Sequence, residues 1–469
     1  VLRSHGARIV SRRTVARVAL AASLTACLAG SLLAARANGD DETPASNVES
    51  PFEWQGTVSA EHSLVASVLR EARRTSTPAK ELVEKLSAPN AKQLDAMLDI
   101  LIQGRVPKVS DKDAPQMLSQ AQRALLLQLI ARFEARTALH ALEGRLAERP
   151  QDAALRTAFV QVLGVLGTER DLARIDQLAP RAEDGAMPRN AAESARAAYV
   201  AILHRSPDMT ELSDASIRRF GDAAMHELLL AIGDLCDPRA VPFLYVIAQD
   251  RPTLAQLAIA MVPACGRTDD ADFNRAFALW LRDRVDPLRI DWTRTIVQAL
   301  GVLDEGDAAG ILVDLLSSEH HGLALSAHEA LKKISGLEYA AQAPDWRAWF
   351  DGEERWFERE YPKQRHALRS SKTREVVHAL HAFNERALHK SILAADVIDV
   401  LKRPEPALQA LACGVLETLG TKRCIAPLVD LLASRDKRVA DAAWRSLCKI
   451  TSKDVPREPG PARAMLLPS

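Results

Sequence analysis

The chain has 469 residues, 47% of them hydrophobic but only 4% aromatic. That is an Ala-, Leu- and Val-rich helical composition, ample for a large core, and it disfavours a β-sandwich or barrel. Its 61 basic residues balance 61 acidic ones, which argues against the basic footprint of a nucleic-acid-binding domain, so no nucleic-acid partner is expected.

At the N-terminus, Arg3, Arg8, Arg12, Arg13 and Arg17 form a basic region. Val18 to Ala35 is apolar and small, and Ala35-Arg36-Ala37 fits an A-x-A cleavage site before Asn38. Residues 1–37 therefore read as an export signal, and Ser11 to Arg17 resembles the twin-arginine motif. The expected destination is the periplasm or cell envelope. Two alternatives stand beside cleavage. Leu24-Thr25-Ala26-Cys27 matches a lipobox that would lipidate Cys27, although the apolar segment runs on past it. An uncleaved anchor is the other, because about 18 apolar residues are marginally long enough to span a bilayer. No later segment is long and apolar enough, so no membrane span is expected in the mature chain. Residues 38–57 are acidic, small and Pro/Ser-containing and predict a disordered tether. Residues 58–124 predict a helical cap over whatever apolar face follows.

From Leu125 a phrase recurs. Ala231 to Leu244 reads AIGDLCDPRAVPFL; Val162 to Ile175, Ala299 to Leu312 and Val415 to Leu428 are degraded copies, and Leu129 to Leu142 is a weaker one. The offsets are about 33, 69, 68 and 116 residues, near multiples of helical-repeat periods. Each copy predicts a junction, one helix ending and the next beginning. Gly167 and Gly420 are expected to leave a helix with positive φ. Asp237, Thr168 and Thr421 are expected at the following N-cap, with Pro238 at the first helical position. Apolar stripes follow, such as Ile425, Leu428, Val429 and Leu432, then Val439, Ala443, Leu447 and Ile450. Ala191 to Leu203 has the small-residue pattern of a diverged unit. One such hairpin cannot bury its stripe alone, so neighbours must stack.

At these residues the chain resembles HEAT repeats, including the short HEAT-like repeats first described in phycobilisome-associated lyases. The resemblance is nearest at Ile232 to Leu244 and covers most of Leu125 to Ser452. It implies an all-α fold, an α-solenoid of stacked HEAT-like hairpins (an armadillo-type superhelix). It implies no lyase activity, since HEAT arrays serve unrelated roles. The expected organisation is a repeat array over 125–345, a Trp-rich helix and linker over 346–372, further repeats over 373–452 and a Pro-rich disordered tail over 453–469. The Trp-rich segment breaks the rhythm. Trp346, Trp349 and Trp356 fall near one helix face and are read either as a packing wedge between two sub-arrays or as partner-binding residues.

Candidate chemistry is sparse. His320, His321 and His328, with Glu319 and Glu329, are the densest cluster of metal-ligand types. His378 and His381 are spaced to chelate but lack an evident third ligand. HExxH, CxxC, G-x-S-x-G and Walker-type glycine loops are missing from the sequence. Arg218-Arg219 and Arg282-Asp283-Arg284 read as solvated helix faces. Five cysteines remain beyond Cys27, an odd number for an exported chain. Cys236 with Cys265 is the candidate disulfide, against the plainer reading of small buried thiols. The expected function is a non-catalytic scaffold, without cofactor or metal, that binds a protein partner through the concave face of the solenoid. The alternatives are an envelope structural component anchored by its N-terminus and, third, a metal- or cofactor-handling enzyme built on the histidines.

Overall fold

The computed structural model describes residues 54–467, apart from 75–85, 87–89, 110–115, 184, 207–208, 210–211, 213, 215, 304, 387 and 452. The proposed signal, Cys27 and most of the expected tether lie outside the described residues. The fold is all-α, with 22 α-helices and one two-stranded antiparallel ribbon, Arg105–Val106 with Gln116–Met117, among the described residues.

The cap comprises α1 (Ala60–Arg74), α2 (Ala91–Gln103) and α3 (Gln120–Ile130). Asn90 caps α2, and Ser119 with Gln122 forms a capping box at α3. Gln122 is buried, and its Nε2 donates to the Leu69 carbonyl of α1 at 2.8 Å, so the capping residue also ties two helices together. The end of the expected tether is not free. Trp54 packs against the first hydrophobic core, and Gln55 exchanges hydrogen bonds with Gln103.

Next come α4 (Ala135–Glu148), α5 (Ala153–Leu166), α6 (Leu172–Leu178), α7 (Arg189–Arg205), α8 (Asp222–Leu235), α9 (Val241–Asp250), α10 (Ala255–Cys265), α11 (Ala271–Arg282), α12 (Ile290–Leu303), α13 (Ala309–Leu315) and α14 (His321–Ser335). Helices α5, α7, α8, α10, α12 and α14 form one ladder, each packed on the next, while α4, α6, α9, α11 and α13 lie against it. Then follow α15 (Ala343–Arg359), α16 (Tyr361–Leu368), α17 (Thr373–Asn384), α18 (Lys390–Val400), α19 (Pro406–Leu419), α20 (Ile425–Leu431), α21 (Lys437–Thr451) and α22 (Pro459–Leu466). Here α17, α19 and α21 make a second ladder. Among the described residues there are two hydrophobic cores, one running from Val65 to Trp346 and Leu388, the other from Leu368 to Leu466.

Every strong copy of the repeated phrase is a junction. A ladder helix ends and a single 3₁₀ turn (Glu169–Asp171, Pro238–Ala240, Gly306–Ala308 or Lys422–Cys424) leads into the outer helix. Asp237 caps its turn by accepting from the Arg239 backbone N–H at 2.9 Å, with Pro238 behind it.

The glycine expectation is corrected. Gly167 has φ −70° and Gly420 φ −45°, so neither is left-handed. They are required by space: a Cβ on Gly167 would lie 2.5 Å from the Leu163 carbonyl oxygen, and one on Gly420 would lie 2.3 Å from Ile450 Cγ1. The tail expectation is corrected too. Over 453–467 the chain carries α22, whose Ala462 and Leu466 are buried in the second core. Its prolines disguise it, since Pro459 stands in the first helical turn, where no N–H is needed. The segment read as a linker, 361–372, is mostly α16.

Candidate functional site

The two cores meet along a cleft of about 450 Å³. The first core supplies Arg267 to Asp269, the start of α11 and the Glu305–Asp307 turn. The second supplies His389 to Ile392, the Leu419–Thr421 junction and the ends of α21 and α22. The walls are therefore mostly helix starts and repeat junctions, where the chain must satisfy backbone N–H groups that no helical carbonyl reaches.

The first wall is tightly organised. Asp270 caps α11 by accepting from the N–H groups of Asp272 and Phe273, both at 3.1 Å. Asn274 is buried; its Oδ1 accepts from Thr268 N at 3.1 Å and Thr268 Oγ1 at 2.8 Å, and its Nδ2 donates to the Thr268 carbonyl. Arg275 pairs with Asp307, whose hydrogen bond holds the guanidinium pKa above its ordinary value. On the facing wall His389 is left-handed at φ 59°, one of three such non-glycine residues among the described ones. Its ring stacks on Phe357 with centroids 3.8 Å apart, and Nε2 lies 3.1 Å from Glu354 Oε1. Strain of this kind persists only where surrounding contacts over-determine the backbone. Lys390 and Ser391 follow at the start of α18, which has no side-chain cap. An ion pair, Asp272 with Arg423 at 2.5 Å, links the two cores across 151 residues of sequence.

The residues singled out from sequence lie elsewhere. Trp346 is a core residue with no exposed surface, its Nε1 donating to the Ala340 carbonyl at 2.9 Å. That burial corrects the expectation that it contacts a partner. Trp349 stands edge-on to it in the first core, and both rings belong to α15. Trp356, at the other end of α15, belongs to the second core, with Arg386 over its face at 4.9 Å. Trp349 and Trp356 keep part of their surface exposed. One helix thus serves both cores, and the buried Glu353 between its ends takes Arg386 at 3.1 Å.

The histidines do not converge. His320 and His321 are exposed at the start of α14, whereas His328 Nε2 meets the Tyr339 carbonyl at 2.8 Å and its ring packs edge-on to Trp346. His378 and His381 are exposed on α17. Among the described residues no group of three or more His, Cys, Asp or Glu is placed to hold a metal ion. Cys236 and Cys265 are free thiols, the first exposed and the second buried.

Sequence reasoning missed one further surface. The Arg282-Asp283-Arg284 stretch leads into a loop that presents Leu288 at 92% exposure. The loop is nonetheless ordered: buried Thr293 Oγ1 donates to the Asp286 carbonyl at 2.6 Å, and Leu288 N donates to Asp286 Oδ1 at 3.0 Å. Arg284 lies over Trp280 at 3.9 Å and Arg289 over Trp292 at 4.9 Å, flanking the leucine. The Pro287-Leu288 pair between two Trp–Arg pairs was the available signal, since aromatic and Arg anchors are what interfaces use.

Among the described residues no helix is long and apolar enough to cross a membrane. No known family matches the chain, and no curated protein matches it either.

Proposed function

We propose that this chain is a non-catalytic scaffold of HEAT-like helical repeats, exported to the cell envelope or periplasm, that binds a protein partner. The cleft between the two cores receives a segment of that partner. The observation that supports this most is the lining of the cleft. Arg267, Lys390 and Lys453 stand with Asp269 and Glu305 around hydroxyls of Thr268, Ser391 and Thr421. Mixed charges and hydroxyls on two facing walls suit a polar peptide segment bearing both signs, bound by many modest contacts. The basic and apolar sequence of residues 1–37 supports export.

The reading is tested with the full chain immobilised and exposed to an envelope extract of the producing organism. Thr268→Trp and Ser391→Trp fill the cleft from opposite walls. Proteins retained by the wild type should fall at least about tenfold with either variant, for the loss of about 1.4 kcal/mol or more of binding. An identical retained set with all three proteins would overturn the cleft as the binding site.

A further inference from the structure

Helix α8 ends at Cys236, which adopts φ 53° and ψ 39°, a conformation that helix ends usually give to glycine. The turn leaves its thiol exposed, with Sγ 3.3 Å from the Gly233 carbonyl oxygen. Cys265 closes α10, the next helix of the ladder, and is 3% exposed. Its Sγ lies 3.6 Å from the Ile232 carbonyl oxygen, so the two thiols reach consecutive carbonyls of one helical turn. Burial, with Cys236 beside it, pushes the Cys265 thiol up to about 12. Of the remaining described cysteines, Cys413 and Cys424 are buried in the second core and Cys448 is half-buried.

We infer that Cys236 and Cys265 form a redox-closable pair, with Cys236 as the site of thiol–disulfide exchange and Cys265 as the resolving thiol. The oxidant is a low-molecular-weight disulfide. The Cys236 thiolate attacks one of its sulfurs, the S–S bond breaks, and one thiolate leaves and takes up a proton. Cys265 then gives its proton to solvent and its sulfur attacks Cys236 Sγ; the second small thiolate leaves and is protonated. Two protein thiols are oxidised by two electrons and one small disulfide is reduced to two thiols. The burial and raised pKa of Cys265 make the second step the slower one, because the thiolate is the nucleophile. Closure encircles about 30 residues, the whole α9–α10 hairpin, and so restricts the unfolded chain. The pair needs no partner and stands whether or not the cleft binds one.

The test uses the full chain, reduced, freed of reductant and incubated with oxidised glutathione. The wild type is expected to lose two hydrogens by intact mass, and peptide mapping should show Cys236 linked to Cys265, with a higher midpoint of thermal unfolding. Cys265→Ser and Cys265→Ala should each instead accumulate a single glutathionyl adduct on Cys236, and Cys236→Ser should gain neither change. A wild type that keeps a glutathionyl adduct on Cys236 without closing, or that links either cysteine to Cys413, Cys424 or Cys448, would overturn the inference. So would a wild type left unmodified.

Discussion

The third position of the repeated phrase is Gly164, Gly233 and Gly301 in the first core and Glu417 in the second. In the first core that residue faces the next ladder helix closely, against its backbone at Gly164 and Gly301 and against a side chain at Gly233. A Cβ on Gly164 would lie 3.0 Å from Ala198 Cα, and one on Gly301 would lie 2.8 Å from Ala330 Cα. On Gly233 it would meet Met261 Sδ at 2.4 Å. In the second core Glu417 instead reaches Lys449 on the neighbouring ladder helix at 3.2 Å. The same rung is therefore made by close approach in one core and by a rim ion pair in the other. The sixth position diverges as well: Gly167 and Gly420 are there for space, whereas Cys236 is left-handed. What recurs is the junction, while the means of joining one hairpin to the next varies.

The largest effect is expected where α15 joins the cores. Trp346→Ala empties a fully buried indole site in the first core and should cost about 4 kcal/mol. Trp356→Ala removes a half-buried ring from the second core and should cost about 2 kcal/mol. Urea unfolding followed by tryptophan fluorescence and by circular dichroism reads both. If the cores unfold independently, each variant should move one transition only; a single shared transition would break the division. Ala462→Asp comes next. It places a carboxylate where α22 is wholly buried on the second core and should cost about 3 kcal/mol in that core's transition. No change would mean that α22 does not cover the core.

The glycines give a graded series. At Gly301 the obstacle is Ala330 backbone, which cannot move aside, so Gly301→Ala should cost about 2 kcal/mol despite the better helix propensity of alanine. Gly164→Ala, with a slightly longer gap, should cost about 1 kcal/mol. At Gly233 the obstacle is the end of a flexible methionine, so Gly233→Ala should fall within about 0.5 kcal/mol of neutral. Thermal midpoints of the three variants check the order, and an inverted order would show that ladder spacing does not set the requirement.

Fold class and junctions were legible because they rest on local chemistry: apolar spacing, Asp237 and Pro238 at a cap, and the recurrence of one phrase. The reason for the glycines was not, because a Cβ clash with Ala330 involves a residue about 30 positions away and leaves no trace in the phrase. Helix α22 was hidden by prolines that look like disorder in a tail but sit harmlessly in a first turn. The cleft was illegible for a related reason. Arg267, Asp307, His389 and Thr421 are ordinary loop residues in sequence, and only the meeting of two cores puts them on one surface. Trp346 was conspicuous by composition, and the structure spends its ring on the core.

The smallest effect belongs to the ion pair that replaces glycine in the second core. Glu417 and Lys449 have side chains 32% and 62% exposed, so solvent screens their attraction and holding two long side chains offsets part of the gain. A double-mutant cycle of Glu417→Ala and Lys449→Ala should give a coupling of about 0.5 kcal/mol or less, fading toward zero in molar salt. A coupling above about 1.5 kcal/mol that survives salt would mean the pair is a structural rung in its own right, equal to the Gly301–Ala330 contact. The weak result instead assigns the cohesion of the second ladder to its apolar contacts and to the Ser446 hydroxyl, which donates to the Cys413 carbonyl at 2.7 Å. Ser446→Ala should then exceed the coupling of the charged pair, at about 1 kcal/mol, because it leaves that interhelical bond unmade in a fully buried site.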